Sequence, residues 1–233
     1  MGGDFDFSVV WHSLAADQSR PILTDEQIET GAHRIRVRSS QPLGDLALYY
    51  MLFATGARPL EIARLEVRDY LESNGDVRCV SVVREEVAIN ARSRPLYFRS
   101  VRLDNALEPY LAARVRSKVE LENGGHFRGL NPRSRLFLSA SSQGFEVIPI
   151  GKGGTRRFLC GGIQEAYRKL FQYAEFERLT AMTARYTVAE RLYLRGADDS
   201  QVGLLLGIAE RSAVRQRFPR RLQSLEELTK DLV

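Results

Sequence analysis

Residues 180–218, TAMTARYTVAERLYLRGADDSQVGLLLGIAERSAVRQRF, restrict the fold more than any other stretch of this chain. Met182, Arg185, Ala189 and Leu192 recur at helical spacing on one face, so the Arg185 guanidinium starts among side chains expected to be buried. A buried charge requires a partner. Two readings follow: a carboxylate elsewhere in the fold, or an anion that a pocket holds against Arg185. The helix is predicted to stop at Arg195-Gly196. Asp198 or Asp199 then caps a short helix over Ser200 to Leu206, and Gly207 is its left-handed stop. Arg211, Arg215, Arg217, Arg220 and Arg221 follow with no acid between residues 211 and 221. A solvated face would mix carboxylates with the arginines, so this patch points to a polyanion.

Upstream, a helix start is read at Thr24. Pro42 to Ala54 is apolar and helical and leads into Thr55-Gly56-Ala57-Arg58-Pro59-Leu60-Glu61-Ile62. Pro59 suits the first turn of a new helix, which puts Arg58 at its start, where backbone N–H groups favour an anion. Val77 to Leu103 reads as strands with a turn near Asn90 to Ser93. Asp104 is predicted to cap a helix running to about Glu122. Residues 127–157 read as irregular, with a strand pair at Leu136 to Leu138 and Phe145 to Ile150. The glycine loop Gly151-Lys152-Gly153-Gly154 lacks P-loop spacing. With Arg156 and Arg157 beside it, the loop reads as phosphate-contacting or as a plain surface loop. Gly162 to Phe176 is a further helix. In the tail, Ser224 and Glu227 form a capping box, and Leu225, Leu228 and Leu232 form a small apolar stripe. That stripe docks in cis or on a second copy. The expected class is mainly α with a small antiparallel β-sheet (α+β).

Charge placement supports the polyanion. The net charge is +5, and 30 of the 34 basic residues are Arg. Residues 1–30 hold six acids against one Arg, so the positive charge is concentrated in the remainder. No apolar run is long enough for a membrane span and no basic signal peptide opens the sequence, so no membrane partner and a cytoplasmic location are expected. Cys79 and Cys160 read as two buried free thiols rather than metal ligands. Neither a metal nor a cofactor is expected. The length of 233 residues suits one sizeable core.

Two segments together resemble the catalytic domain of the tyrosine recombinases, the phage-integrase family. Thr55-Gly56-Ala57-Arg58-Pro59-Leu60-Glu61-Ile62, continued by Leu65 and Asp69, is similar to the box carrying that family's first catalytic Arg. Met182-Thr183-Ala184-Arg185 stands where His-x-x-Arg is expected, and Leu205-Leu206-Gly207-Ile208 where Leu-Leu-Gly-His is expected. The 23-residue separation of Arg185 and Ile208 (208 − 185 = 23) fits the family. The resemblance implies a tyrosine-recombinase catalytic-domain-like fold over residues 41–221, after an N-terminal extension, 1–40. Residues 222–233 then form a C-terminal helix able to act as an oligomerisation element. It also implies double-stranded DNA as the partner. The counterpart of the family's hairpin lysine is Arg94, or Arg92 with a looser turn. Candidate DNA-binding residues are Arg58, Arg185, Arg92, Arg94, Arg156, Arg157, Arg211, Arg215 and Arg217.

The chain departs from the family pattern at chemically important positions. Met182 and Ile208 replace the two histidines, and the nucleophile position falls on Arg217 or Phe218. No Tyr follows Tyr193 and no His follows His126. The expectation is therefore no catalytic residue and no enzymatic activity. The chain reads as a DNA-binding transcriptional regulator or maintenance factor of a phage, plasmid or integrative element. The alternatives are a site-specific recombinase with an unrecognised nucleophile and an interaction module that has lost DNA binding.

Overall fold

The computed structural model describes residues 22–122, 124–150, 157–176 and 179–220. A helix buried on almost every side, α2 (Pro42–Thr55), occupies the middle of the fold: Leu46 through Phe53 are all buried. Pro42 opens it and Gly56, at φ 62°, closes it in the left-handed region. A continuous apolar run without an amphipathic stripe can only be satisfied by neighbours on all sides. Those neighbours are α1 (Asp25–Arg38), α5 (Val101–Arg116), α6 (Gly161–Tyr173) and α7 (Ala181–Leu194). Buried hydroxyls knit the layers, with Tyr49 donating to Ile28 O at 3.1 Å and Tyr167 to Leu48 O at 3.1 Å.

Helix α1 starts at Thr24 as expected, and the start is a capping box with Gln27 as its reciprocal partner. Ile28, Ala32 and Ile35 of this helix belong to the main core, and Leu23 N–H donates to Thr187 Oγ1 at 3.0 Å. The C-terminal part of the expected N-terminal extension is thus packed into the main body.

Between α2 and α5 lie two short helices, α3 (Pro59–Arg64) and α4 (Val67–Tyr70), and an antiparallel pair, β1 (Val80–Val83) with β2 (Arg94–Tyr97). A second pair joins β3 (Ile148–Ile150) to β4 (Arg157–Leu159). Two short helices complete the described order, α8 (Asp199–Leu206) and α9 (Arg211–Arg217). The class is mainly α with small antiparallel sheets, as expected. Among the described residues no helix is long and apolar enough to cross a membrane.

Three local expectations are corrected. Helix α5 is capped by Ser100, not Asp104, and ends at Arg116 rather than Glu122. Ser100 Oγ accepts from Leu103 N–H, Asp104 instead accepts from Tyr70 Oη, and positive φ at Lys118 and Glu120 stops the helix. The expected pairing of 136–138 with 145–150 is reduced to one bridge, Leu138 with Gly144, because Ile148–Ile150 pairs with Arg157–Leu159. Cys160 is buried but Cys79 is exposed just ahead of β1. The tail capping box at Ser224 and Glu227 lies outside the described residues.

The hydrophobic side chains divide into two cores. The larger surrounds α2; the smaller gathers Val188, Ala189 and Tyr193 of α7, Val202 and Leu206 of α8, Val214 of α9, and Phe218. Helix α7 spans both, with Ala184 in the first and Val188 in the second. Arg185 therefore sits at the seam.

Candidate functional site

The site is organised by the C-terminal end of α8. Asp198 caps this helix, its carboxylate accepting from Gln201 N–H at 2.8 Å, and Gly207 ends it at φ 68°. A helix end of this kind leaves carbonyl oxygens without intrahelical partners, and the helix dipole adds partial negative charge there. Three arginines distant in sequence take those oxygens. Arg94 Nε donates to Leu205 O at 3.1 Å, Arg185 Nη2 to Leu206 O at 2.8 Å, and Arg58 Nη2 to Gly207 O at 3.1 Å. Close approach requires the glycine: a Cβ at position 207 would lie 3.0 Å from Arg58 Nη1 and 3.1 Å from Arg94 Cζ.

Glu61 is the counter-charge and is fully buried. Its carboxylate accepts from Arg94 Nη1 at 3.0 Å and Nη2 at 2.6 Å, from Arg58 Nη1 at 3.1 Å, and from the Arg58 backbone N–H at 2.9 Å. The fork-to-fork contact with Arg94 is the geometry in which guanidinium and carboxylate attract most strongly. The position follows from α3: Pro59 begins the helix, so Glu61 falls where its side chain reaches back to the free N–H at residue 58. Burial pushes the Glu61 carboxyl upward, but the bonds and charges of Arg94 and Arg58 outweigh it and hold the group below the usual carboxylate range.

Among the described residues no carboxylate pairs with Arg185. Arg185 is 3% exposed, and its guanidinium donates to Gly56 O and Leu206 O, while the Phe218 ring stands over it at 5.7 Å. Burial, then the nearby Arg58 charge, push its pKa down to about 9, with Glu61 acting the other way. The carboxylate partner that a buried arginine leads one to expect is thus supplied by two backbone carbonyls. Arg58 and Arg94 share the Glu61 carboxylate and Arg185 stands beside them, so among the described residues three guanidiniums gather round one carboxylate in a mostly desolvated place. A cavity of about 800 Å³ opens beside it, lined by Arg58, Arg185 and Arg217 and by apolar groups including Phe158, Phe171, Met182 and Phe218.

The structure brings Arg58, Arg94 and Arg185 together and places Arg217 on the same cavity. Arg94 requires a correction: it is buried and turned inward onto Glu61, not carried outward on the hairpin. Arg92 is exposed in the turn before β2 and belongs to no such cluster. Arg211 and Arg215 lie exposed on α9, but Asp199 from α8 pairs with Arg215 at 2.6 Å, so the acid-free patch is partly neutralised from outside its own segment. Arg156 lies outside the described residues; Arg157 opens β4, opposite Ile150. Met182, expected on the buried face of α7, is 38% exposed at the cavity wall. Sequence reasoning missed Glu61 as the hub and Phe218 as a neighbour of Arg185. The signal for Glu61 was its place three residues after the residue preceding Pro59. For Phe218 no local signal existed.

No protein-family model matches the chain, and no curated protein matches it. Solved structures do. XerA recombinase superposes with a TM-score of 0.59 at 18% identity, covering 89% of this chain and 62% of that one. XerH site-specific recombinase bound to its difH substrate before cleavage gives 0.57 at 17%, covering 89% and 52%. The Tn1549 transposon integrase in complex with transposon right-end DNA gives 0.52 at 15%, covering 97% and 68%. The chain thus spans about half to two thirds of the length of these proteins. It has a tyrosine-recombinase-like fold. The expectation that the chain is not an enzyme is corrected by the same findings: the structures sharing its fold are recombinases and an integrase, which are enzymes, and unmatched histidine and tyrosine positions do not establish inactivity.

Proposed function

We propose that this protein binds double-stranded DNA in the manner of a recombinase catalytic domain, with Arg58 and Arg185 serving one backbone phosphate and Arg217 reinforcing them. The observation that carries the reading is the gathering, among the described residues, of three guanidiniums round the single Glu61 carboxylate, with Arg58 and Arg185 open to a cavity. An anion entering there meets Arg58 and Arg217 and offsets both the burial and the Arg58 charge that push the Arg185 pKa down. The comparison structures of XerH and of the Tn1549 integrase hold DNA, which supports the same partner for this fold. The exposed Arg92, Arg211 and Arg215 extend the contact along the duplex, and Arg156 and Arg157 add to it. Arg94 acts from inside, fixing Glu61. The biological role that fits is regulation or maintenance of a phage, plasmid or integrative element in the cytoplasm, with residues 222–233 joining copies on DNA.

The test is duplex binding measured across a salt series, beside thermal unfolding. Arg58→Ala and Arg185→Met should each weaken all sequences about equally and lower the salt slope by roughly one unit. Binding unchanged in both, with both folded, would remove the phosphate assignment. A second reading, site-specific recombination itself, is favoured by the shared fold. A nicked suicide substrate decides it: a protein–DNA band surviving denaturing electrophoresis supports strand cleavage, and its absence leaves the binding reading.

A further inference from the structure

We propose that Phe218 is a positioning residue for Arg185: its ring holds the guanidinium in place at the seam between the two cores. This rests on the phosphate-binding reading of Arg185. The hydrogen bonds that fix Arg185 among the described residues run to the carbonyls of Gly56 and Leu206. Those bonds satisfy donors but bring no full negative charge, and burial penalises the cation. The Phe218 ring centroid lies 5.7 Å from Arg185 Cζ, within the range where the negative face of a ring attracts a cation. Phe218 is 2% exposed, packs on Tyr186 at 5.3 Å between centroids, and its N–H donates to Val214 O at 2.7 Å, so α9 and α7 together fix the ring. Low dielectric strengthens the attraction, and little rotamer freedom remains to be lost when a phosphate arrives.

The same residue ends α9 directly after Arg217. Fixing the ring therefore also fixes the backbone from which Arg217 reaches the cavity, so one aromatic contact sets the geometry of two of the proposed phosphate ligands. An aliphatic residue of similar volume would fill the second core equally well but would offer Arg185 no ring face.

The experiment is a double-mutant cycle on the full chain, using Phe218→Leu, Phe218→Met and Phe218→Tyr, each alone and combined with Arg185→Met. Affinity for a duplex and the melting temperature without DNA are both measured. Phe218→Leu and Phe218→Met are expected to weaken binding on the order of five-fold where Arg185 is present, and to change nothing further in the Arg185→Met background. Phe218→Tyr keeps the ring and should keep affinity near that of the parent. The melting cycle should show the same coupling, with a smaller loss when Arg185 is already absent. Equal losses in both backgrounds, in affinity and in melting, would overturn the proposal and leave Phe218 as packing alone. If the parent chain fails to bind DNA, the proposed function falls while the melting cycle still decides whether ring and guanidinium are coupled.

Discussion

Substituting Glu61 by Gln tests the arrangement at its centre. The side chain is fully buried and accepts three guanidinium hydrogen bonds, two from Arg94 and one from Arg58, besides the Arg58 backbone N–H. Gln keeps the volume and one acceptor oxygen but removes the only carboxylate that, among the described residues, bonds Arg58 and Arg94. Breaking a buried pair by neutralising one member costs about 3–5 kcal/mol, because the other charge stays in the interior. For a domain of this size that corresponds to a fall in melting temperature of roughly 6–20 °C. Arg94, 4% exposed in its side chain, has no route to water without rearrangement. The pH dependence carries a sign. The Glu61 carboxyl is held below its ordinary value of 4.5, so its contribution is present above that pH and is lost as pH falls through the folded-state value. The gap in stability between parent and Glu61→Gln should therefore be widest near neutrality and narrow below about pH 4.5. Thermal unfolding followed by circular dichroism from pH 7 to pH 3 measures both effects. A loss under about 1 kcal/mol at pH 7, the scale of an exposed pair, or a gap that does not change with pH, would refute the view of Glu61 as hub.

Gly207→Ala should be destabilised by about 1–2 kcal/mol from its left-handed backbone, and should also weaken duplex binding because its Cβ would press on Arg58 and Arg94. Gly196→Ala, at φ 89° with nothing within 4 Å of its Cβ, should show the stability loss but not the binding loss; equal binding by the two variants would remove the steric argument. A maleimide reagent on the folded chain should label exposed Cys79 and spare buried Cys160, whose thiol burial pushes up, as peptide mapping would show. Deleting residues 222–233 should leave a folded protein that binds DNA with less cooperativity, and unchanged sedimentation and an unchanged isotherm would count against self-association through that segment.

The elements of this fold were readable wherever a local rule is sufficient. The helix start at Thr24, Pro59 in a first turn and the glycine stop at 207 all depend on backbone groups within four residues, and each forms as its sequence indicates. The two boxes around Arg58 and Arg185 were enough to anticipate the fold later matched in solved recombinases. Local rules failed where a neighbour distant in sequence competed. Asp104 has the chemistry of a cap but bonds Tyr70, and strand Ile148–Ile150 chose Arg157–Leu159 over the segment at 136–138.

The site shows the same division. Sequence alone marked Arg185 as a charge on an apolar face and Arg58 as a charge at a helix start, because periodicity and helix starts are properties of one segment. It could not say what satisfies them. That was decided when folding brought residues 56, 61, 206, 207 and 218 to within hydrogen-bond or ring-contact distance of those arginines. Arg94 ended inside rather than on the hairpin surface because a buried carboxylate from another helix lay within reach. Arg185 received carbonyls and an aromatic ring in place of an acid. Burial and pairing depend on what the rest of the chain places around a residue, and only the tertiary structure supplies that.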